Sequence, residues 1–169
     1  MTRIEVRRSR PLLVALVLMA VIGCDRATKS LAVATLADGE RRSYLADTVR
    51  LQYVENHGAF LGLGGNLDER ARFWLLLVGT AALLLLAAAL TFRSPARSVA
   101  EALAWALLIG GGLSNLADRA LREGAVVDFL NIGLGPLRTG IFNVADVGIT
   151  TGTVLLLAGA WLSRRTDAR

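Results

Sequence analysis

The stretch FWLLLVGTAALLLLAAALTF, residues 73–92, decides the fold class because it carries no charge over its whole length. An α-helix needs about 20 consecutive apolar residues to cross the roughly 30 Å hydrocarbon core of a bilayer. Three further apolar stretches, residues 11–30, 99–117 and 141–162, are each broken by a polar or acidic residue near one end. The sequence therefore predicts an all-α membrane protein with four transmembrane helices, and we treat residues 1–169 as one integral membrane domain.

The composition agrees with this class, since 54% of the residues are hydrophobic and cluster in long runs. The formal net charge is +5. In a membrane protein, such a balance reflects basic residues at the ends of spans and their attraction to anionic lipid headgroups. Because no soluble basic segment is left to hold a polynucleotide, we expect membrane lipids and no nucleic acid as partners.

Four crossings place both termini on one side of the membrane, and the positions of arginine indicate which side. The positive-inside rule gives most weight to short loops and to the ends of spans. The outer segments 32–72 and 119–140 hold comparable numbers of basic residues, but these alternate with acidic ones. We therefore predict cytoplasmic termini. The residues that carry this prediction are Arg3, Arg7, Arg8, Arg10, Arg93, Arg97, Arg164, Arg165 and Arg169.

The outer segment 32–72 is too long and too polar for a simple turn. Val49, Leu51 and Tyr53 alternate with polar residues, which is typical of a half-buried strand. We predict a small β-sheet resting on the membrane surface. The glycine-rich residues 58–65 either allow a close approach of backbone or form a flexible loop. His57, the only histidine, has no cysteine or carboxylate at ligand spacing, so we predict no metal site.

Cys24 ends the sequence VIGC at residues 21–24, which is similar to the end of a lipoprotein signal peptide. In that alternative, the first span would be removed. We disfavour it because three more spans and no secreted domain follow. We interpret Cys24 as a small buried residue instead.

Two acidic residues near the outer ends of the spans indicate a functional site, because ionisable groups at membrane depth are costly. Asp128 follows an apolar run in the loop before the last span, and Asp146 lies about one turn, ~5 Å, into that span. Asn115 precedes Asp118 by three residues, as Asn143 precedes Asp146, so we expect each pair on one helix face. The site should lie just beneath the outer leaflet.

Two carboxylates held together in such a cleft cannot both stay ionised, so they share one proton. One can then take a proton from water while the other donates one to a carbonyl oxygen, with no cofactor or metal. Asn115 and Asn143 are suited to orient the carboxylates, and Arg119 to bind an anionic or carbonyl group. Alternatively, the polar residues only cap helices and join spans by hydrogen bonds. We interpret Asp25 and Lys29, four residues apart, as a structural ion pair.

These residues fall in five motifs that resemble those of the lipoprotein signal peptidases, the signal peptidase II family of bacterial inner membranes. The matching segments are DRATK at 25–29, NHGAF at 56–60, GGLSNLADR at 111–119, VVDF at 126–129 and FNVAD at 142–146. They are similar to the family's DxxTK, NxGAAF, GGxxGNxxDR, VVDF and FNxAD. Their order along the chain makes the resemblance specific.

The resemblance implies an aspartyl endopeptidase that removes signal peptides from diacylglyceryl-modified prolipoproteins, cutting on the amino-terminal side of the lipidated cysteine. It also implies a periplasmic β-cradle, a short lid helix and inhibition by globomycin-type compounds. We expect a monomer in the bacterial inner membrane, with the site near the periplasmic face. The implied catalytic residues are Asp128 and Asp146, the substrate-binding residues Asn56, Gly58, Asn115, Arg119 and Asn143, and the supporting residues Asp25, Lys29 and Asp118.

Two departures from the family motifs concern substrate range and inhibitor sensitivity. One alanine of NxGAAF is missing, which affects residues 59–65, and Ser114 replaces the glycine before Asn115. Two other functions stay open at this point. One is a small proton-coupled transporter subunit, although such proteins usually carry inverted repeats and acids near the midplane. The other is an inactive paralogue of the peptidase.

Overall fold

A computed structural model describes residues 3–58, 68–93 and 98–167. The glycine-rich loop at residues 59–65 and the arginine-containing turn at residues 94–97 lie outside the described residues. The described chain forms, in order, α1 (Arg3–Leu36), β1 (Arg42–Tyr44), β2 (Val49–Asn56), α2 (Glu69–Arg93), α3 (Val99–Leu121), β3 (Val126–Leu134), β4 (Leu137–Arg138) and α4 (Val144–Asp167).

All four helices are long and apolar enough to cross a membrane, over Pro11–Leu36, Glu69–Thr91, Val99–Leu121 and Val144–Arg165. Many of their leucines are exposed in the protein alone, such as Leu83 and Leu85 on α2. Lipid tails are the natural surroundings for such side chains, because they are as apolar as leucine. The predicted four-helix membrane fold is confirmed.

Helix α3 lies at the centre and packs against α1, α2 and α4. Its closest approach to α4 depends on glycine. A Cβ atom added at Gly111 would lie 2.4 Å from the carbonyl oxygen of Ala145, and one at Gly152 would lie 2.5 Å from that of Ala104. Small residues of this kind let helix backbones approach closely in membranes. The start of α4 is thereby held against the middle of α3.

The predicted sheet has four antiparallel strands in the order β1-β2-β3-β4, and β2 contains the predicted strand residues Val49, Leu51 and Tyr53. Only half of the sheet comes from the segment between α1 and α2, because β3 and β4 lie between α3 and α4. The sequence analysis placed Asp128 in a loop, and this was wrong, since Asp128 lies within β3 opposite Val54. Residues 125–129 are buried without alternation, so they carry no period-two signal.

Helix α4 begins at Val144, three residues after the predicted start of the last span. The preceding Phe142 is extended and pairs with Leu130 of β3. Asn143 is therefore outside the helix, and it does not share a helix face with Asp146 as expected. Cys24 also differs from its prediction, since it is exposed while its neighbour Asp25 is fully buried. Successive helix residues point about 100° apart, so only one of the two can face α3.

Candidate active site

Asp128 is a buried carboxylate whose two oxygens are each bound by an asparagine. Its side chain is 3% exposed. Asn143 Nδ2 donates to Oδ1 at 2.6 Å, and Asn56 Nδ2 donates to Oδ2 at 2.9 Å. Asn56 ends β2, and its own Oδ1 accepts a bond from the backbone N–H of Gly58 at 2.9 Å. The pairing of β2 with β3 therefore sets where the Asp128 carboxylate points.

Asp146 lies in the first turn of α4, where it takes part in a reciprocal helix cap. The backbone N–H of Asp146 donates to Asn143 Oδ1 at 3.0 Å, and the backbone N–H of Asn143 donates to Asp146 Oδ2 at 3.2 Å. This exchange satisfies two amide groups that a helix start leaves free. Asn115 Nδ2 of α3 binds the other oxygen, Oδ1, at 2.8 Å. Asp146 is thus fixed by its own helix start and by α3.

Asn143 contacts both acidic residues and is itself completely buried. Its Nδ2 binds Asp128, and its Oδ1 and backbone N–H bind Asp146. The two carboxylates, which come from a strand and a helix, therefore flank one asparagine side chain. The structure brings Asp128 and Asp146 together as the sequence predicted.

The side-chain amide of Asn115 can point only its NH₂ group, and not its oxygen, toward Asp146. Its Oδ1 accepts hydrogen bonds from Lys29 Nζ at 2.8 Å and from Asn143 Nδ2 at 3.2 Å. Since both neighbours are donors, the amide oxygen must face them and the NH₂ group must face the carboxylate. Lys29 on α1 therefore orients a side chain that contacts the acidic pair.

A cluster of buried charges lies behind this pair. Lys29 binds Asp25 Oδ2 at 2.7 Å and Asp118 Oδ2 at 2.8 Å, and all three side chains are at most 3% exposed. Arg26 forms a second ion pair with Asp118. The buried Lys29 and the partly exposed Arg26 thus balance the two buried negative charges. The Asp25–Lys29 pair predicted from sequence is present and belongs to this larger cluster.

The aspartates of this buried cluster also accept hydrogen bonds from backbone N–H groups of α4 and β3, next to the two candidate catalytic residues. Asp25 Oδ1 accepts from the backbone N–H of Ala145 at 2.8 Å, and Asp118 Oδ2 accepts from that of Val127 at 3.3 Å. These two residues directly precede Asp146 and Asp128. Arg26 was not among the predicted site residues, and its position directly after Asp25 in α1 gives no signal, because successive helix residues point about 100° apart.

Arg119 lies close enough to Asp128 and Asp146 to interact electrostatically with both. Its Nη2 donates to the backbone carbonyl of Gly58 at 3.3 Å. Its Nε is buried and has no hydrogen-bond partner within the described part of the chain. A guanidinium with a spare donor next to two carboxylates is suited to bind a carbonyl oxygen. His57, by contrast, is exposed.

Burial raises the pKa of Asp128 to about 6, from an ordinary value of 3.8. The negative charge of Asp146 contributes to this rise, whereas the hydrogen bonds from Asn56 and Asn143 oppose it because they favour the ionised form. Asp128 therefore keeps its proton to a higher pH than a solvated aspartate. The pair has one member suited to donate a proton.

Comparison with known proteins identifies the family. The family model described as signal peptidase (SPase) II matches residues 17–162. The lipoprotein signal peptidase of Leifsonia xyli subsp. xyli is 38% identical over 156 residues, covering 85% of this chain and 67% of that protein. That of Chlorobium phaeobacteroides is 37% identical over 145 residues, covering 81% of this chain and 83% of that protein.

The fold is also found in a solved structure, described as a bacterial membrane enzyme determined by the in meso method at 2.3 Å resolution. The TM-score is 0.77, with 24% sequence identity over 93% of this chain and 92% of that one. The structural likeness shows the shared fold, and the sequence matches extend over most of this chain. This chain therefore belongs to the signal peptidase II family.

Proposed function

We propose that this chain is an aspartyl endopeptidase that removes signal peptides from diacylglyceryl-modified prolipoproteins, with Asp128 and Asp146 as the catalytic residues. Cleavage falls on the amino-terminal side of the lipidated cysteine. The observation that carries the proposal is the placement of two carboxylates, the buried Asp128 and the half-buried Asp146, on either side of Asn143. Membership in the signal peptidase II family, whose members are proteases, supports it.

In this mechanism the two carboxylates share one proton. In the reactive, singly protonated form of the pair, Asp128 carries the proton and Asp146 is ionised. Asp146 takes a proton from a water molecule whose oxygen attacks the scissile carbonyl carbon, while Asp128 donates its proton to the carbonyl oxygen. Collapse of the tetrahedral intermediate re-forms the C=O bond and breaks the C–N bond; the proton held by Asp146 passes to the leaving amine, and one hydroxyl of the intermediate returns its proton to Asp128.

The substrate contacts we propose lie around this pair. Arg119 and Asn56 have donor groups near the carboxylates, and the backbone of Gly58 is held between them. Asn115 and Asn143 keep the carboxylates in position. We propose that these five residues bind the peptide backbone next to the cleavage site. The proposed reaction uses no cofactor.

The location of the pair suits a lipid-anchored substrate. Asp146 lies in the first turn of α4, and β3 lies outside the membrane-spanning helices. The scissile bond would therefore be cut near the membrane surface, where a diacylglyceryl group stays in the bilayer. We place the site near the periplasmic face of a bacterial inner membrane, with segments 32–72 and 119–140 outside and both termini in the cytoplasm. Acids at the helix ends do not fit a proton path across the midplane, as a transporter would need.

The test is cleavage of a purified diacylglyceryl-modified prolipoprotein reporter by the protein in lipid or detergent. Asp128→Asn and Asp146→Asn should each lower the rate by at least about 10²-fold, in line with the loss of general acid or base catalysis. The matched control is Asp38→Asn, since Asp38 is an exposed aspartate outside the site. Normal cleavage by either site variant would refute the aspartyl mechanism. Failure of the wild-type protein to cut the reporter would refute the function. Globomycin and a monomeric state can be tested in the same preparation.

A further inference from the structure

Ser114 is the residue that departs from the glycine of the family motif, and the structure gives its hydroxyl a defined partner. The side chain is 1% exposed, and its Oγ donates to Asp25 Oδ2 at 2.6 Å. A glycine at this position has no group that could make this bond. The chain therefore has one hydrogen bond in its buried cluster that the motif does not provide.

We infer that Ser114 is a positioning residue for Asp146, acting through Asp25 and the first turn of α4. This inference rests on the proposed peptidase function. Asp25 connects the two, because its Oδ2 accepts from Ser114 and its Oδ1 accepts from the backbone N–H of Ala145 at 2.8 Å. Ala145 directly precedes Asp146.

The carboxylate of Asp25 needs this donor because it is completely buried. Lys29 Nζ also binds Oδ2, at 2.7 Å, but the same ammonium contacts Asp118 and Asn115. An ammonium has three protons, so each of these contacts uses one. Lys29 cannot replace a lost Ser114 bond without weakening another contact. The carboxylate would have to shift, and the N–H of Ala145 would move with it or lose its acceptor.

A second path leads to the same catalytic group. Ser114 is adjacent to Asn115, whose NH₂ group binds Asp146 Oδ1 at 2.8 Å. A hydroxyl that ties this part of α3 to α1 therefore limits the movement of Asn115 as well. Asp146 is positioned by the first turn of α4, which Asp25 binds, and by the hydrogen bond from Asn115 to its Oδ1. Ser114 supports both of these contacts. Its loss should affect the chemical step more than substrate binding, since both connections from Ser114 end at Asp146.

The experiment compares two pairs of variants that differ by one hydroxyl. The wild type is paired with Ser114→Ala, and Ser114→Thr with the isosteric Ser114→Val, so that crowding by an added methyl group is the same in both members of the second pair. The hydroxyl-free member of each pair should show kcat about fivefold to tenfold lower, with KM within about twofold; this is less than the full worth of a charge-assisted hydrogen bond, because Ser114 acts on Asp146 only through other residues. Ser30→Ala is the control, because Ser30 is exposed and its Oγ binds a carbonyl of its own helix.

A second measurement does not depend on cleavage. Amide hydrogen exchange at Ala145 should become several times faster in Ser114→Ala and Ser114→Val, and stay slow in the wild type and in Ser114→Thr. Equal kcat within both pairs, a change in KM alone, or unchanged exchange at Ala145 would overturn the inference. If the wild-type protein cuts no reporter, the proposed function fails, while the exchange data still decide whether Ser114 holds the start of α4.

Discussion

Replacing Asp128 with asparagine should stabilise the folded protein at neutral pH, although it should abolish cleavage. The carboxylate lies on β3, outside the spans, and its pKa is raised from 3.8 to about 6 by burial. A raised pKa means that the folded state binds the proton more tightly than the unfolded state does. The favourable contribution of the protonated form is complete below pH 3.8 and is lost as the pH rises through about 6. At pH 8 the protein therefore contains a destabilising buried charge.

The size of the effect follows from the same shift. At 1.36 kcal/mol per pKa unit, ionising Asp128 lowers the free energy of unfolding by up to about 3 kcal/mol. Asparagine keeps the shape and removes the charge, but its NH₂ group must face one of the amide donors of Asn56 and Asn143, at a cost of about 1 kcal/mol. We expect a net gain of about 1–2 kcal/mol at pH 8, which corresponds to a rise in Tm of about 2–4 °C per kcal/mol for a chain of this size.

The measurement is thermal unfolding of wild type and Asp128→Asn in the same detergent between pH 4 and pH 8, followed by tryptophan fluorescence. The gain in Tm should be largest at pH 8 and should shrink or reverse near pH 4. Asp47→Asn is the matched control, and its effect on stability should have the opposite sign, because hydrogen bonds from Arg50 hold the pKa of Asp47 well below its usual range. That variant should be less stable than wild type by nearly the same amount from pH 8 to pH 4, because the contribution of a carboxylate with a lowered pKa is lost only below its ordinary value of 3.8. An Asp128→Asn variant that is less stable at pH 8, or one whose Tm difference from wild type is independent of pH, would refute the reasoning.

Two further predictions concern the contacts around the site. Gly111→Ala should lower the free energy of unfolding by about 1–3 kcal/mol and reduce cleavage, because the added Cβ would overlap the backbone of α4. Gly23→Ala is the control, because a Cβ at Gly23 meets nothing within 4 Å. Equal thermal stability of the two variants would contradict the close packing of α3 and α4. Asn56→Ala should raise the pKa of Asp128, since it removes a hydrogen bond to the ionised form. Infrared spectroscopy of the protonated carboxyl band should show its loss at a higher pH than in wild type, and an unchanged midpoint would argue against this bond.

The sequence predicts the membrane fold well because its strongest signals are local. An uncharged run at residues 73–92 and the alternation at Val49, Leu51 and Tyr53 each depend on nearby residues only. The strand β3 has no such signal, because residues 125–129 are buried on both faces. The shortened start of α4 was also hidden, since Ile141 and Phe142 are as apolar as the helix that follows.

Which residues form the candidate site could be predicted in part from the sequence, but the hydrogen bonds between them could not. Motif spacing placed Asp128 and Asp146 in one site, and the structure brings them to the same asparagine. That Ser114 and Arg26 bind buried carboxylates depends on how α1 and α3 pack. Such contacts join residues far apart in the sequence, so no local pattern reports them. The catalytic and binding roles of these residues stay predictions.

The strands of the sheet come from two separate segments of the chain, one between α1 and α2 and one between α3 and α4, and this affects how the protein folds during synthesis. β2 is made early, but the strand that carries Asp128 follows α3, and the segment that carries Asn143 and Asp146 is made after that. A nascent chain that has inserted only its first two helices lacks both acids, and pairing across such a separation forms late because chain closure costs entropy. The candidate site is then complete only once the last helix has entered the bilayer.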